Sequence, residues 1–495
     1  MSDKTPTFAI VGAVNHGKSS VVSTLAEDDK VRISSMPGET VKCKQFWLDD
    51  LFSFWDTPGF QNAIEAYEEL KAARSTRKPL DVFRDFIKRH RGQPEFADEC
   101  ELLQPIVDDA GIIYVVDGSK KLVKFHIAEM EILRLTGQPR LAIINRTSHD
   151  DYIEDWKRML RSHFNAVREF NAHHATFSDR LELLDTLANI EQSWKPKLKQ
   201  AVAVFTEQQE KRFDECAEII VELLIAALQH CEVAGTDADL KTRREKLGEE
   251  LKQRFVKSLS DREALAHQRI IETFRHRRVK TESTGELFFD AELFSEDTWR
   301  AFGLNEKQLI KVSTGVGAAV GASADLLTAG HTLLVGTLIG GAIGAAGGYI
   351  MGKKRPELKV NMPGLLKRIG LRKKIDFGGR AMSIGPYTAA NFPWILLDRA
   401  FGTFFYIINR AHAQQDNVTI NSAQVKATME AAGILTARWE DAKRKECEKV
   451  FAVIRKNKIG PEHREALRKL IRERLEDVSK ATGRGGLNDI TNILT

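Results

Sequence analysis

A glycine-rich loop near the start of the chain has the residue types and the spacing that phosphate binding requires. GAVNHGKS, residues 12–19, fits the pattern G-x-x-x-x-G-K-S and lies between a short apolar strand and a helical segment. Gly12 and Gly17 let main-chain N–H groups converge on phosphate oxygens, and the following helix directs its positive end at them. Lys18 would reach the β- and γ-phosphates, and Ser19 would bind Mg²⁺. A chance glycine turn before a helix is the alternative, against which the complete pattern argues.

A second motif, Asp56-Thr57-Pro58-Gly59, ends an aromatic strand further along the chain. An aspartate at the carboxyl end of a strand can hold Mg²⁺, and the Gly59 N–H can sense a γ-phosphate. Between the two motifs, Thr40 in SMPGETVK is the candidate switch residue whose hydroxyl would complete the Mg²⁺ shell. An ordinary loop threonine is the open alternative, because switch loops leave little signature in a sequence.

The hydrophobic pattern and the phosphate-binding motif predict an α/β P-loop domain, called the G domain, followed by a mainly α-helical C-terminal region. Two aromatic strands around Asp49-Asp50 predict a hairpin, which would give a mostly parallel sheet one antiparallel edge. Further strands are expected from Gly111 and from Pro139. The expected divisions are 1–182 for the G domain with a helical insertion at about 61–105, 183–310 for a helical domain, 311–355 for a Gly/Ala-rich apolar hairpin, and 356–495 for a basic, helical C-terminal domain.

In their order along the chain, the motifs G-A-V-N-H-G-K-S, P-G-E-T, D-T-P-G and V-V-D resemble those of the translation-factor-related GTPases, especially the Era-like group. The resemblance implies a G domain that binds GTP or GDP with Mg²⁺, hydrolyses GTP and acts as a molecular switch. It implies nucleotide contacts from Gly12, Asn15, His16, Gly17, Lys18, Ser19 and Ser20. It implies Mg²⁺ ligands at Ser19, Thr40 and Asp56, and roles in hydrolysis for Lys18, Thr40 and Gly59.

The family reads guanine through an N-K-x-D motif, from which this chain departs. Asn145 matches, Arg146 can supply a flat stem to cover the base, and Ser148 stands in the place of the aspartate. A serine accepts one hydrogen bond but cannot make the charged bidentate pair that rejects adenine. Asp150 could substitute for it. The resemblance therefore predicts a GTPase, and a P-loop ATPase is the alternative.

Hydrolysis is expected to be slow. Some GTPases place a glutamine directly after D-x-x-G to orient the attacking water, but here that residue is Phe60 and Gln61 follows it. A partner, a second protomer or K⁺ would then supply the missing charge. His16 could act as a base or simply fill the loop beside Gly17, and the sequence leaves both roles open.

The Gly/Ala-rich hairpin is unusual in a chain of which 29% is charged. Glycines recur every fourth residue from Gly336 to Gly352, which puts them on one helix face, as in closely packed membrane helices. Nine Lys and Arg residues against one acid follow in 353–374, which suits anionic headgroups at the cytoplasmic leaflet. A hairpin buried in protein is the alternative, which Asp325 favours because a charge is costly in lipid. This part of the chain resembles a bacterial family in which an Era-like GTPase is fused to a domain of unknown function.

Composition narrows the remaining classes of function. The net charge of +5 is too small to argue for nucleic acid, and five scattered cysteines suit a reducing compartment. No basic region followed by a long apolar run opens the chain, so no signal peptide is expected. We expect a cytoplasmic protein, peripheral or inserted at the cytoplasmic face of the inner membrane. Its partners would be a nucleotide, an anionic membrane surface, and a second copy or another protein at the C-terminal helices. A nucleotide-controlled membrane scaffold is the alternative function.

Overall fold

The structure is a computed structural model of the 495-residue chain, and it divides into two units. It describes residues 5–27, 43–48, 50–73, 78–146, 152–172, 174–235, 241–281, 381–387, 392–412, 414, 417–420, 436 and 439–482. Unit 1 consists of Met1–Lys211, Arg275–Arg278 and Ile408–Asn417. Unit 2 consists of Arg212–Phe274, Val279–Ile407 and Val418–Thr495.

A six-stranded sheet in the order β2-β3-β1-β4-β5-β6 forms the middle of unit 1. Its strands are β1 (Thr7–Val11), β2 (Lys44–Leu48), β3 (Phe52–Asp56), β4 (Gly111–Asp117), β5 (Arg140–Asn145) and β6 (Ala166–Phe170). β2 pairs antiparallel with β3, and all other neighbours are parallel. The predicted parallel sheet with one antiparallel edge hairpin is therefore confirmed. β1, β4 and β5 are apolar along almost their whole length because helices cover both faces of the sheet.

In the described part of unit 1, helices pack on both faces of this sheet. They are α1 (Lys18–Ala26), α2 (Ala63–Ala72), α3 (Pro79–His90), α4 (Ala97–Val107), α5 (Lys124–Leu135), α6 (Ile153–His163) and α7 (Phe177–Ile190). Helices α2 to α6 share one apolar core with the sheet, while α1, α7 and the start of a longer helix, α8 (Lys195–Leu228), share the other. Local signals set several starts: Pro79 opens α3, and Thr176 and Asp179 form a capping box before α7.

Unit 2 is mainly helical, as the sequence predicts for the C-terminal region. Besides the end of α8 it contains α9 (Lys241–Thr273), α10 (Phe392–Ile408), α11 (Asp441–Arg455) and α12 (Pro461–Thr482). Two small sheets complete its described part. One pairs β7 (Glu232–Gly235) with β9 (Ala381–Ile384), and the other pairs β8 (Val279–Thr281) with β10 (Val418–Ile420).

Helix α10 is the core helix of unit 2, since nearly all of its residues are buried. The ring of Phe404 lies 5.4 Å from that of Phe213 and 5.7 Å from that of Phe274. Arg399 on the same helix makes a buried ion pair with Glu263, with 2.8 Å between Nε and Oε1. Removal of either partner would leave a buried charge, so this pair constrains how α9 and α10 pack.

Several predicted features lie outside the described residues: the hairpin 311–355, Thr40 and Ser148. Among the residues that are described, no helix has both the length and the apolar character needed to cross a membrane. The predicted domain boundaries stay predictions.

One carboxyl group is enclosed between the sheet and α5. Glu129 is fully buried, and its Oε2 accepts a hydrogen bond of 2.6 Å from the hydroxyl of Tyr114 on β4. Burial raises the pKa of Glu129 to about 8, although the Tyr114 hydrogen bond opposes the rise. The folded protein therefore keeps this proton at pH values where the unfolded chain has lost it.

We predict that Glu129→Gln changes the pH dependence of stability. Below the unfolded pKa both states of the wild type are protonated, and its full stability is present. As the pH rises towards 8, the unfolded state loses the proton first, so wild-type stability falls by up to about 1.4 kcal/mol per unit of pKa shift. We expect urea unfolding to show that the free energy of unfolding of the variant, relative to that of the wild type, is higher at pH 8 than at pH 5. A difference that is the same at both pH values would contradict the prediction.

Candidate functional site

The loop of residues 12–17 joins β1 to α1 at the carboxyl edge of the sheet and lies closely against the neighbouring strands. Gly12 has a φ of +144°, and a Cβ there would stand 2.2 Å from the main-chain oxygen of Val115. Gly17 has a φ of +86°, and a Cβ there would stand 2.3 Å from the side-chain nitrogen of Asn145. Both positions therefore require glycine, as the phosphate-binding pattern predicts.

Lys18 opens α1 and turns its ammonium group back onto the loop. Its Nζ donates to the carbonyl oxygens of Gly12, at 3.0 Å, and Ala13, at 3.1 Å. Burial lowers the pKa of Lys18, and the carboxylate of Asp56 opposes that effect. A buried ammonium that is held by neutral carbonyl oxygens attracts an anion strongly, and a phosphate group would satisfy it.

Ser19 and Asp56 meet beside Lys18. The Ser19 hydroxyl donates to Oδ2 of Asp56 over 3.1 Å. Burial raises the pKa of Asp56, while Lys18 and the Ser19 hydrogen bond oppose the rise. Its other oxygen, Oδ1, is buried and has no hydrogen-bond partner within the described ranges. A hydroxyl and a carboxylate with a spare oxygen are hard ligands of the kind that Mg²⁺ prefers, so these residues fit the predicted metal.

The D-T-P-G segment is fastened to the P-loop strand. The Thr57 hydroxyl donates to the carbonyl of Ile10 at 2.7 Å, and Gly59 packs so closely that a Cβ would stand 2.8 Å from the main-chain nitrogen of Val14. The next side chain, Phe60, is only 2% exposed and belongs to the core below α2. The residue directly after D-T-P-G therefore faces the core, and Gln61 is the first amide side chain beyond the motif.

Asn145 connects the P-loop with two other loops at the end of β5. Its Oδ1 accepts from the main-chain N–H of Ala172 at 3.2 Å, and its carbonyl oxygen accepts from Gly118 at 3.0 Å. Its side-chain nitrogen is the atom that crowds Gly17. Ala172 lies just after β6, so Asn145 ties the ends of β5 and β6 together. Asn145 therefore connects the P-loop with the loops that follow β4 and β6.

Arg146 is connected to β6 by its side chain and by its main chain. Its guanidinium lies 3.2 Å from the Glu169 carboxylate, and its main-chain N–H donates to Phe170 at 3.0 Å. The predicted role of its stem over a base stays a prediction.

Lys120 is a site residue that the sequence patterns missed. Its Nζ donates to the carbonyl of Asn15 at 2.8 Å, across a chain separation of 105 residues. The same ammonium lies 3.7 Å from Asp117, and Trp156 holds the Lys120 carbonyl with a hydrogen bond of 2.7 Å. Its position three residues after the V-V-D aspartate is the one signal that could have found it. Lys120 thereby clamps the middle of the phosphate-binding loop to the loop that follows β4.

His16 belongs to the P-loop, and its ring packs against residues of α5 and α6. It is 3% exposed, and its ring stands 5.2 Å from that of His126 and 6.5 Å from that of Trp156. Burial lowers its pKa well below the usual range, with Lys120 adding to the effect, so the imidazole is neutral. This placement favours loop filling over action as a base. Ser20 is likewise buried, in the first turn of α1.

Residues 157–477 match the model of a family described as "Domain of unknown function (DUF3482)", and this match covers well over half of the chain. The chain belongs to the DUF3482 family. Residues 7–146 of this DUF3482 protein match a second family model, described as "50S ribosome-binding GTPase". Its N-terminal part is therefore a GTP-binding P-loop GTPase domain, of a family of GTP hydrolases.

Two curated relatives match a shorter part of the DUF3482 protein. They are "Probable GTP-binding protein EngB" of Bacillus cytotoxicus, at 43% identity over 85 residues, and the protein of the same name of Bacillus cereus (strain G9842), at 34% over 85 residues. Each match covers 16% of this chain and 43% of the relative, so the chain spans less than half the length of these relatives. The predicted assignment to the Era-like group stays a prediction.

We predict that Lys120→Ala weakens nucleotide binding by the DUF3482 protein about fivefold, because one charged hydrogen bond to the P-loop, worth about 1 kcal/mol here, is lost. The exposed neighbour Lys121 provides the matched control, and Lys121→Ala should bind as the wild type does. Titration of a fluorescent GTP analogue in the presence of Mg²⁺ measures both. Equal affinities in the two variants would show that the clamp does not contribute.

Proposed function

We propose that this protein is a GTP-controlled switch: its P-loop domain binds GTP or GDP with Mg²⁺ and hydrolyses GTP slowly, and its DUF3482 region responds to the bound nucleotide. The supporting observation is the meeting of Lys18, Ser19 and Asp56 at one sheet edge, with a buried ammonium and a spare carboxylate oxygen side by side. The proposed activity accounts for both groups, since a triphosphate would pair with the ammonium of Lys18 and a divalent cation with the carboxylate of Asp56.

Each of these residues has a distinct proposed role. Lys18 and the main-chain N–H groups of the P-loop would bind the phosphates. Ser19, Asp56 and Thr40 would hold Mg²⁺, which neutralises charge on the phosphate oxygens when it is bound. The Gly59 N–H would report the presence of the γ-phosphate to the segment that leads into α2.

Slow hydrolysis is proposed because the position after D-T-P-G holds a core side chain. Phe60 cannot orient a water molecule, and its ring is enclosed below α2. Catalysis would then depend on Gln61 or on a group supplied by a partner, by a second copy or by K⁺.

GTP is proposed over ATP because Asn145, which matches the family's guanine-reading motif, stands beside Gly17 of the P-loop, and because the matched relatives are named GTP-binding proteins. Ser148 in place of the family aspartate keeps ATP as the competing candidate. Competition of a labelled GTP analogue by unlabelled ATP, compared with unlabelled GTP, decides between the two.

Calorimetry with the wild type and two variants tests the nucleotide site. Lys18→Ala should lower the affinity for GTP roughly 30- to 150-fold, because about 2–3 kcal/mol of charged hydrogen bonding to phosphate is removed. Asp56→Asn should bind GTP without Mg²⁺ nearly as the wild type does, but should gain little affinity when Mg²⁺ is added. Identical GTP affinity in the wild type and in Lys18→Ala would refute the proposed site.

We also propose that the segment 311–355 attaches the protein to anionic membranes. Its glycines at every fourth position and the basic residues that follow suit a closely packed apolar hairpin beside anionic headgroups. In a nucleotide-controlled scaffold, which is the competing function, attachment would change with the nucleotide that is bound.

Vesicle flotation tests the membrane proposal. The intact protein should float with vesicles that contain phosphatidylglycerol and should float less with purely zwitterionic vesicles, whereas deletion of residues 312–352 should abolish flotation. GTP and GDP are compared in each case, and a large difference between them favours the scaffold. An intact protein that stays at the bottom of the gradient with both vesicle types would exclude membrane attachment.

A further inference from the structure

The first turn of α4 reaches the residues that follow D-T-P-G. Glu99 is completely buried, and its Oε1 accepts two main-chain hydrogen bonds, from Gln61 at 2.7 Å and from Asn62 at 2.6 Å. These are the last two residues before α2 begins. A chain separation of 38 residues lies between Glu99 and Gln61, so the helical insertion folds back onto the segment from which it starts.

Other groups around α4 support the same contact. The Asn62 side chain donates to the carbonyl oxygen of Glu95 at 2.5 Å. Burial raises the pKa of Asp98, and the Gln61 side chain opposes that rise. The Asp98 carboxylate is also close enough to Lys18 to oppose the fall of the lysine's pKa. Residues 61 and 62 are thus linked to the insertion by more than the Glu99 carboxylate.

The contact between α4 and the main chain at residues 61–62 depends on the acceptor oxygen of Glu99. Burial raises the pKa of Glu99, and the N–H groups of Asn62 and Gln61 oppose the rise. A buried carboxylate costs several kcal/mol unless its hydrogen bonds are made, and a hydrocarbon side chain would fill the same space without that cost. The two N–H groups are the partners that offset the cost, so the position of Glu99 and that of the main chain at 61–62 depend on each other.

We propose that Glu99 is a positioning residue for GTP hydrolysis: it fixes the main chain at Gln61 and Asn62, and thereby the orientation of the Gln61 side chain and of the D-T-P-G loop at the γ-phosphate. This inference rests on the proposed GTPase function. Phe60 faces the core, so Gln61 is the first amide side chain after the motif. The insertion fixes the main chain of Gln61 through Glu99, so the positioning group comes from the same chain.

Steady-state kinetics of full-length variants test the inference. Glu99→Ala and Glu99→Asp, which removes about one methylene of reach, should lower kcat about 10- to 100-fold while KM and the GTP dissociation constant stay within about twofold. Glu99→Gln keeps an acceptor oxygen at the same reach and should restore most of kcat. Glu95→Gln is the matched control, since this exposed side chain lies in the same insertion and its carbonyl contact is unchanged.

Amide hydrogen exchange gives a readout that does not depend on turnover. The main-chain N–H groups of Gln61 and Asn62 should exchange at least about tenfold faster in Glu99→Asp than in Glu99→Gln or the wild type. If Glu99→Ala does not fold, the comparison of Glu99→Gln with Glu99→Asp decides.

Equal kcat in Glu99→Asp and the wild type, with GTP binding intact, would overturn the positioning role while leaving the GTPase proposal in place. A parallel loss of GTP affinity and of kcat would overturn it too, because that pattern indicates a general disturbance of the fold. A wild type that binds no GTP would refute the GTPase proposal itself, and the role of Glu99 with it.

Discussion

The main chain of the P-loop lies against the ends of β4 and β5 at two points that leave no room for a side chain. At Gly12 the neighbour is a carbonyl oxygen of β4, and at Gly17 it is the amide of Asn145. This close approach fixes where α1 starts, and therefore where Lys18 and Ser19 stand. The loops after β3, β4 and β5 all attach to the same short segment, through Gly59, Lys120 and Asn145. A displacement of the P-loop would disturb each of them.

Two buried charged groups lie beside this loop, and a third contacts the segment after D-T-P-G. Lys18, Asp56 and Glu99 are buried. Burial lowers the pKa of the lysine and raises the pKa of both carboxyl groups, which favours the neutral form of each. Such an arrangement is costly in isolation and becomes favourable when ions of opposite sign enter, because a site of low dielectric strengthens every attraction within it. Binding of a triphosphate with its metal would thus give Lys18 and Asp56 partners of opposite charge at positions that the fold has already fixed.

The sheet, its antiparallel edge and the P-loop could be predicted because each depends on neighbours in sequence: apolar runs, a turn, and a glycine pattern. The contact between Lys120 and Asn15 could not, because it joins residues 105 apart and follows from strand order. Similarly, the pairing of the Arg146 guanidinium with a glutamate on β6 joins two strands and has no local signal in the sequence. The contact of Glu99 with Gln61 and Asn62 lies inside a stretch whose length alone predicts a helical insertion. Long-range polar contacts of this kind leave no local period to detect.

The enclosed ring of Phe60 makes any movement of the segment after Gly59 energetically costly. Any excursion of the segment after Gly59 that draws this ring into water would forfeit about 1.5–3 kcal/mol of hydrophobic burial. Such an open form would be populated roughly 10- to 150-fold less than the closed one unless something stabilises it. A partner with an apolar pocket that accepts the Phe60 ring would offset this loss and could therefore stabilise the open form.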